Sequence, residues 1–182
     1  MRRLDAPAAL AGQADTLSVV AAAAARWFKK PAAAAVASAR TARLRAAGFR
    51  DEAVKARPAP DGADLSFALR EAAEHAAAAV VEAARQDLPH DKQLASAASA
   101  LASAAKALAG ALAAKGAARA AALVDAKRWA GECERLRRTT RAAAHEDSAF
   151  VAALTREKAA DRLSRAAEAL QRAADVLGAD LS

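Results

Sequence analysis

Leucines spaced seven apart in a background of alanine dominate the end of this 182-residue chain. Between Asp147 and Gly178, Leu163, Leu170 and Leu177 form the heptad, and Ala166, Ala167, Ala173 and Ala174 fill the steps between. Positions three, four and seven apart share one face of an α-helix. The opposite face carries Arg156, Glu157, Asp161, Arg165, Glu168 and Arg172. A seam of leucine and small residues admits close approach of other helices. It cannot stand exposed in water, so the rest of the chain has to cover it.

Five further helices are legible. The first spans about 8–30, with Leu10, Leu17, Ala24 and Phe28 on its buried face and Pro31 closing it. The second opens at Pro31 and runs to about Lys55. Pro58, Pro60 and Gly62 form the clearest break, because two prolines and a glycine cannot continue a helix. Asp61 or Asp64 caps a third helix that runs to about Gln86 and buries Leu65, Leu69, Ala72, Ala76, Ala79, Val80 and Ala83. After a break at 87–91, a fourth helix over 92–114 has a clean heptad of Leu94, Ala98, Leu101, Ala105, Leu108 and Leu112. Gly110 and Gly116 mark the next turn. The fifth helix, 117–144, has Leu123, Ala126, Ala130, Cys133, Leu136 and Thr140 as its inner stripe, flanked by Trp129. Asp147 or Ser148 caps the sixth. Alanine has the best helix propensity, and β-branched residues are too sparse for a sheet. The expectation is one all-α domain over 1–182. The stretch Leu69–Glu74 echoes Leu163–Glu168, which divides the domain into two three-helix pseudo-repeats at about 7–88 and 90–180.

The net charge of +7 is one-sided. Residues 1–60 hold 11 Lys and Arg against 4 Asp and Glu, and the remaining 17 of each cancel. Arg43, Arg50 and Arg57 are seven apart, with Arg40 one turn earlier. Such a stripe is either a solvated face or an attractor of anions. Trp27 and Phe28 serve either as core packing or as partner-facing anchors. No run of about 18 residues reads as apolar enough to span a bilayer, and no apolar core of a secretory signal directly follows Arg2 and Arg3. The single Cys133 excludes an intrachain disulfide and fits a reducing compartment.

The final-helix run Leu163–Leu177 resembles that of PhoU-like phosphate-transport regulators, in the short branch paired with low-affinity phosphate permeases. Leu163, Glu168, Ala174, Asp175, Val176 and Leu177 agree in type, while Ser164, Gln171 and Arg172 stand where the family has acids. Three other places are similar. Pro60–Leu65 resembles the family's entry to the third helix. Glu74 and His75 stand at its paired acids, and Glu132–Arg138 resembles its fifth-helix motif. The second-helix acidic run is replaced by Arg40, Arg43 and Arg45.

The resemblance implies a cytoplasmic six-helix bundle of two three-helix repeats, possible self-association, and contact with the cytoplasmic face of a membrane phosphate permease at the inner membrane. It also implies a degenerate metal site drawn from Glu74, His75, Glu132, Glu134, Glu168 and Asp175. Its depleted acids and added Arg172 repel a cation, so the expectation is no cofactor or at most a residual metal ion. The basic first two helices are the expected contact surface, with Trp27, Phe28, Arg40, Arg43 and Arg50 as its positions. No nucleophile–base arrangement, phosphate loop or carboxylate pair supports catalysis. Two other classes fit the composition: a basic nucleic-acid-binding module, and an amphipathic coat on a granule or lipid surface.

Overall fold

The computed structural model describes residues 6–55, 60–144 and 150–179. Six α-helices account for nearly all of them: α1 (Ala6–Lys29), α2 (Ala33–Lys55), α3 (Pro60–Arg85), α4 (Lys92–Ala113), α5 (Gly116–Ala144) and α6 (Phe150–Ala179). Among the described residues there is no strand. The predicted apolar stripes are the buried ones. All seven named positions of α3 are buried, as are Leu163, Ala166, Ala167, Leu170, Ala173, Ala174 and Leu177 of α6. In α4 the heptad is buried from Leu94 to Leu108, and Leu112 at its end is half-buried.

Each helix of the first three packs on the other two, and each of the last three does likewise. The trios join through α1 against α4 and α3 against α6. One continuous core results, drawing on all six helices. Alanine supplies most of it, so few side chains hold the helices apart and backbones approach closely. At Gly12 of α1 a Cβ would lie 2.7 Å from the Phe49 ring of α2, so this glycine makes room for the aromatic. Gln13 is wholly buried one residue on. Its amide donates to the carbonyls of Ala46 (3.5 Å) and Ser66 (3.4 Å), tying α1 to both neighbours.

Several boundaries differ from the sequence expectation. Helix α2 begins at Ala33 rather than Pro31, and Pro31 lies in the connecting turn. Helix α3 begins at Pro60, which suits a first helical position because its missing N–H has no partner to lose there. Asp61 and Asp64 therefore sit inside α3, not at its cap. Gly110 lies within α4, and the turn glycine is Gly116, at φ 55°. The expected caps Asp147 and Ser148, together with Arg57 and His145, fall outside the described residues. The reading that no segment has the length and apolarity to cross a bilayer is corrected. Ala8–Lys29 and Lys92–Ala113 both meet that standard by length and composition. Both are also partly buried in the bundle, where α1 and α4 pack on each other.

The link from α3 to α4 carries two local devices. Leu88 N–H donates to Ala83 O at 3.1 Å, closing the end of α3 with Asp87 in the left-handed region at φ 49°. This is a Schellman closure, with buried Leu88 as its apolar contact. Asp91 then caps α4. Its Oδ1 accepts from Gln93 N and Leu94 N at 2.9 Å, and its Oδ2 accepts from Arg156 Nε of α6 at 2.6 Å. Its own N–H donates to Phe28 O at 2.8 Å. One buried residue thus joins the end of α1 through its amide and the start of α4 and the flank of α6 through its carboxylate.

Candidate functional site

The expected contact surface divides once it is placed on the fold. Trp27 and Phe28 are buried, at 3% and 0% exposure, and their rings meet edge to face at 5.1 Å. They belong to the core and offer nothing to a partner, which corrects their assignment as anchors. The physical reason is position: both lie at the end of α1 where α2, α4 and the α3–α4 link converge. The arginines behave differently. Arg40 and Arg43 are exposed and Arg50 is half-exposed, along one flank of α2. Leu44, 64% exposed, lies beside them one turn from Arg40. The inner face of the same helix is alanine, with Ala35, Ala39, Ala42 and Ala46 buried. Short side chains inside leave nothing to draw the long cationic ones inward.

Pairing distinguishes this surface from most of α5 and α6. Among the described residues, Arg40, Arg43, Arg45 and Arg50 form no ion pair. Most cations of α5 and α6 are engaged, although Lys158 and Arg165 of α6 form no ion pair among the described residues. Arg135 is bidentate on Glu132 and Arg137 on Glu134. Arg162 reaches Glu82 at 2.9 Å, Arg172 reaches Glu71 at 2.6 Å, and Lys127 reaches Asp175 at 2.6 Å.

The six expected metal ligands are not brought together. Among the described residues no three His, Cys, Asp or Glu side chains converge on a point. Glu74 pairs with Arg70 at 2.7 Å, and the His75 ring lies 3.3 Å from Arg162 Nη1. Burial first, then Arg162, holds the His75 imidazole below its usual range. Glu132 and Glu134 are two apart on α5, a spacing that does not place side chains on a common face. Glu168 and Asp175 are two turns apart on α6, about 10 Å along its axis. The strongest electrostatic feature is Glu134, held down to about 2 by the Arg137 guanidinium and helped by the Ser164 hydroxyl. It anchors α5 to α6. Beside it Cys133 is buried, and desolvation pushes its thiol up to about 12, leaving a protonated packing group as expected.

A groove of about 550 Å³ lies between the end of α3 and the start of α6. Its charges are mixed and partly self-satisfied, through Glu82 with Arg162. Phe150, Val151 and Leu154 are exposed on the same start of α6. Neither feature is legible as a surface in the sequence, because an apolar first turn looks like any core segment until its neighbours are known. Comparison with protein-family models, curated proteins and solved structures finds no match.

Proposed function

We propose that this chain is a non-catalytic, PhoU-like regulator of phosphate transport that acts by binding a membrane phosphate permease through the outer flank of α2. The observation that carries the proposal is the contrast in pairing. Most cations of α5 and α6 are held by acids of the same chain, whereas Arg40, Arg43, Arg45 and Arg50 of α2 form no ion pair among the described residues. The motif resemblance of the third, fifth and sixth helices supplies the kind of partner. Unpaired guanidinium groups recognise carboxylates or phosphates through forked hydrogen bonds. Leu44 adds an apolar contact at the centre of the flank. A one-signed surface also steers encounter and makes association sensitive to ionic strength. No metal takes part in this reading.

The test is copurification of the tagged chain with a low-affinity phosphate permease from membranes, using the R40E/R43E double variant as comparison. Both side chains are exposed, so the variant keeps the fold, which circular dichroism checks. Loss of copurification in the variant, and weakening of the parent at high salt, is the expected result. Copurification unchanged by the substitutions overturns the assignment. Equal retention on anionic vesicles without a permease transfers the contact to lipid, and overturns the partner.

A further inference from the structure

A second basic surface lies away from the α2 flank. The end of α1 and the α4–α5 hairpin enclose a groove of about 1060 Å³. The bond from Asp91 N–H to Phe28 O sets the start of α4 beside the end of α1. This gathers Arg26, Lys29, His90 and Lys92 at one end of the groove. Helix α5 returns antiparallel after a two-residue turn, so Arg135 comes back to the same end. Among the described residues Arg26, Lys29 and Lys92 form no ion pair. Arg135 engages Glu132 through Nε and Nη2.

The other end has different chemistry. Ser96, Ser99 and Ser103 line it with Trp129. Each serine hydroxyl donates one turn back, to Lys92 O at 2.9 Å, Ala95 O at 2.8 Å and Ser99 O at 3.1 Å. With their protons committed, these oxygens present lone pairs to the groove. They suit the N–H and O–H groups of a ligand and do not suit an anion. The Trp129 indole is half-exposed, with the Arg128 guanidinium 5.1 Å from its ring centre. From Lys92 to Ser99 and Ser103 is about 10–16 Å along the helix. Glu132 also lines the groove but is neutralised by Arg135, which leaves Arg26, Lys29 and Lys92 as its unpaired charges. The groove therefore asks for a molecule with negative charge at one end, hydrogen-bond donors at the other, and a flat ring.

We infer that this groove binds a nucleoside di- or triphosphate, with the phosphates between Lys29 and Lys92 and the base against Trp129. The sugar and base donors meet the serine oxygens. The site contains none of the α2 arginines, so it stands or falls separately from the permease contact.

The full chain is titrated with ATP, followed by calorimetry and by tryptophan emission. The chain has two tryptophans, Trp27 in the core and Trp129 in the groove, and W129F separates their emission. Saturable binding with a change in emission is expected. K29A and K92A each weaken it about tenfold, the loss of one charge-assisted contact. W129A weakens it about tenfold through lost stacking. W129F keeps the affinity within about threefold while abolishing the emission change, which also guards against a misfolded W129A. R40E/R43E binds ATP as the parent does. Tripolyphosphate binding as tightly as ATP overturns the proposal, since the groove is then a simple anion patch. Adenosine binding as tightly overturns it from the other side, and so does the absence of calorimetric heat with millimolar ATP.

Discussion

Asp91 shows how much one carboxylate settles at a helix junction. It caps α4 with one oxygen and holds Arg156 of α6 with the other. D91A is expected to lower unfolding stability by about 2–4 kcal/mol, the sum of a lost cap and a lost charged hydrogen bond. D91N keeps a capping oxygen and gives up the charge, so it should lose about half as much in urea denaturation. Equal losses would show that the cap contributes nothing. Four residues earlier Asp87 sits at φ 49° without being glycine. The left-handed conformation costs an L-residue about 1–2 kcal/mol, offset in part by the greater unfolded-state freedom of glycine. D87G is thus expected to raise unfolding stability by up to about 1 kcal/mol, read as a higher denaturation midpoint. A lower midpoint would mean that the Asp87 side chain stabilises the turn.

At the scale of elements, the α5–α6 seam depends on ionised Glu134. Arg137 and Ser164 favour its charged form, so its carboxyl is held well below the ordinary 4.5, at about 2. The stabilisation is fully present above the ordinary value and is lost as pH falls from about 4.5 towards about 2. E134Q should cost about 1.5–3 kcal/mol at neutral pH, the range for hydrogen bonds to charged groups. It should also flatten the stability curve in that acid window, as read by denaturation at stepped pH. His75, on the α3–α6 seam, works in a different window. Its imidazole is held below 6.5 by burial and by Arg162, so the unfolded chain takes the proton more readily. Stability should begin to fall as pH drops below 6.5, and H75Q should remove that upper step while leaving the Glu134 step.

At the scale of the molecule, one core runs through all six helices. Phe28 lies where the halves meet, wholly buried against Trp27 and bonded through its carbonyl to Asp91. F28A should cost about 3–5 kcal/mol. Because the core is continuous, thermal unfolding should remain a single transition, with calorimetric and van't Hoff enthalpies in agreement. Two resolved transitions, with only one displaced by F28A, would show that the trios are separate cooperative units. The charge distribution is a property at this scale too. Residues 61–182 carry equal numbers of acids and bases, some of them paired across helix seams, and the whole excess lies in residues 1–60.

The chain's own periodicity determined the helices and their buried faces. Leucine and alanine at steps of three and four admit one inward side, whatever the neighbours are, and Leu69, Leu101 and Leu163 needed no further information. The break at 87–91 was legible because proline acts locally, whereas Pro60 and Gly62 of the expected break at 58–62 lie inside α3. The uses of side chains at helix ends and seams were not legible. Whether Trp27 faces water, whether Glu74 meets Glu168, and whether Lys29 stands beside Lys92 depend on which helices pack together and at what rotation. A repeating pattern of apolar residues constrains only the inner side of a helix. What gathers on the outer side is decided when distant segments are brought alongside, and for this protein that is where the candidate chemistry lies.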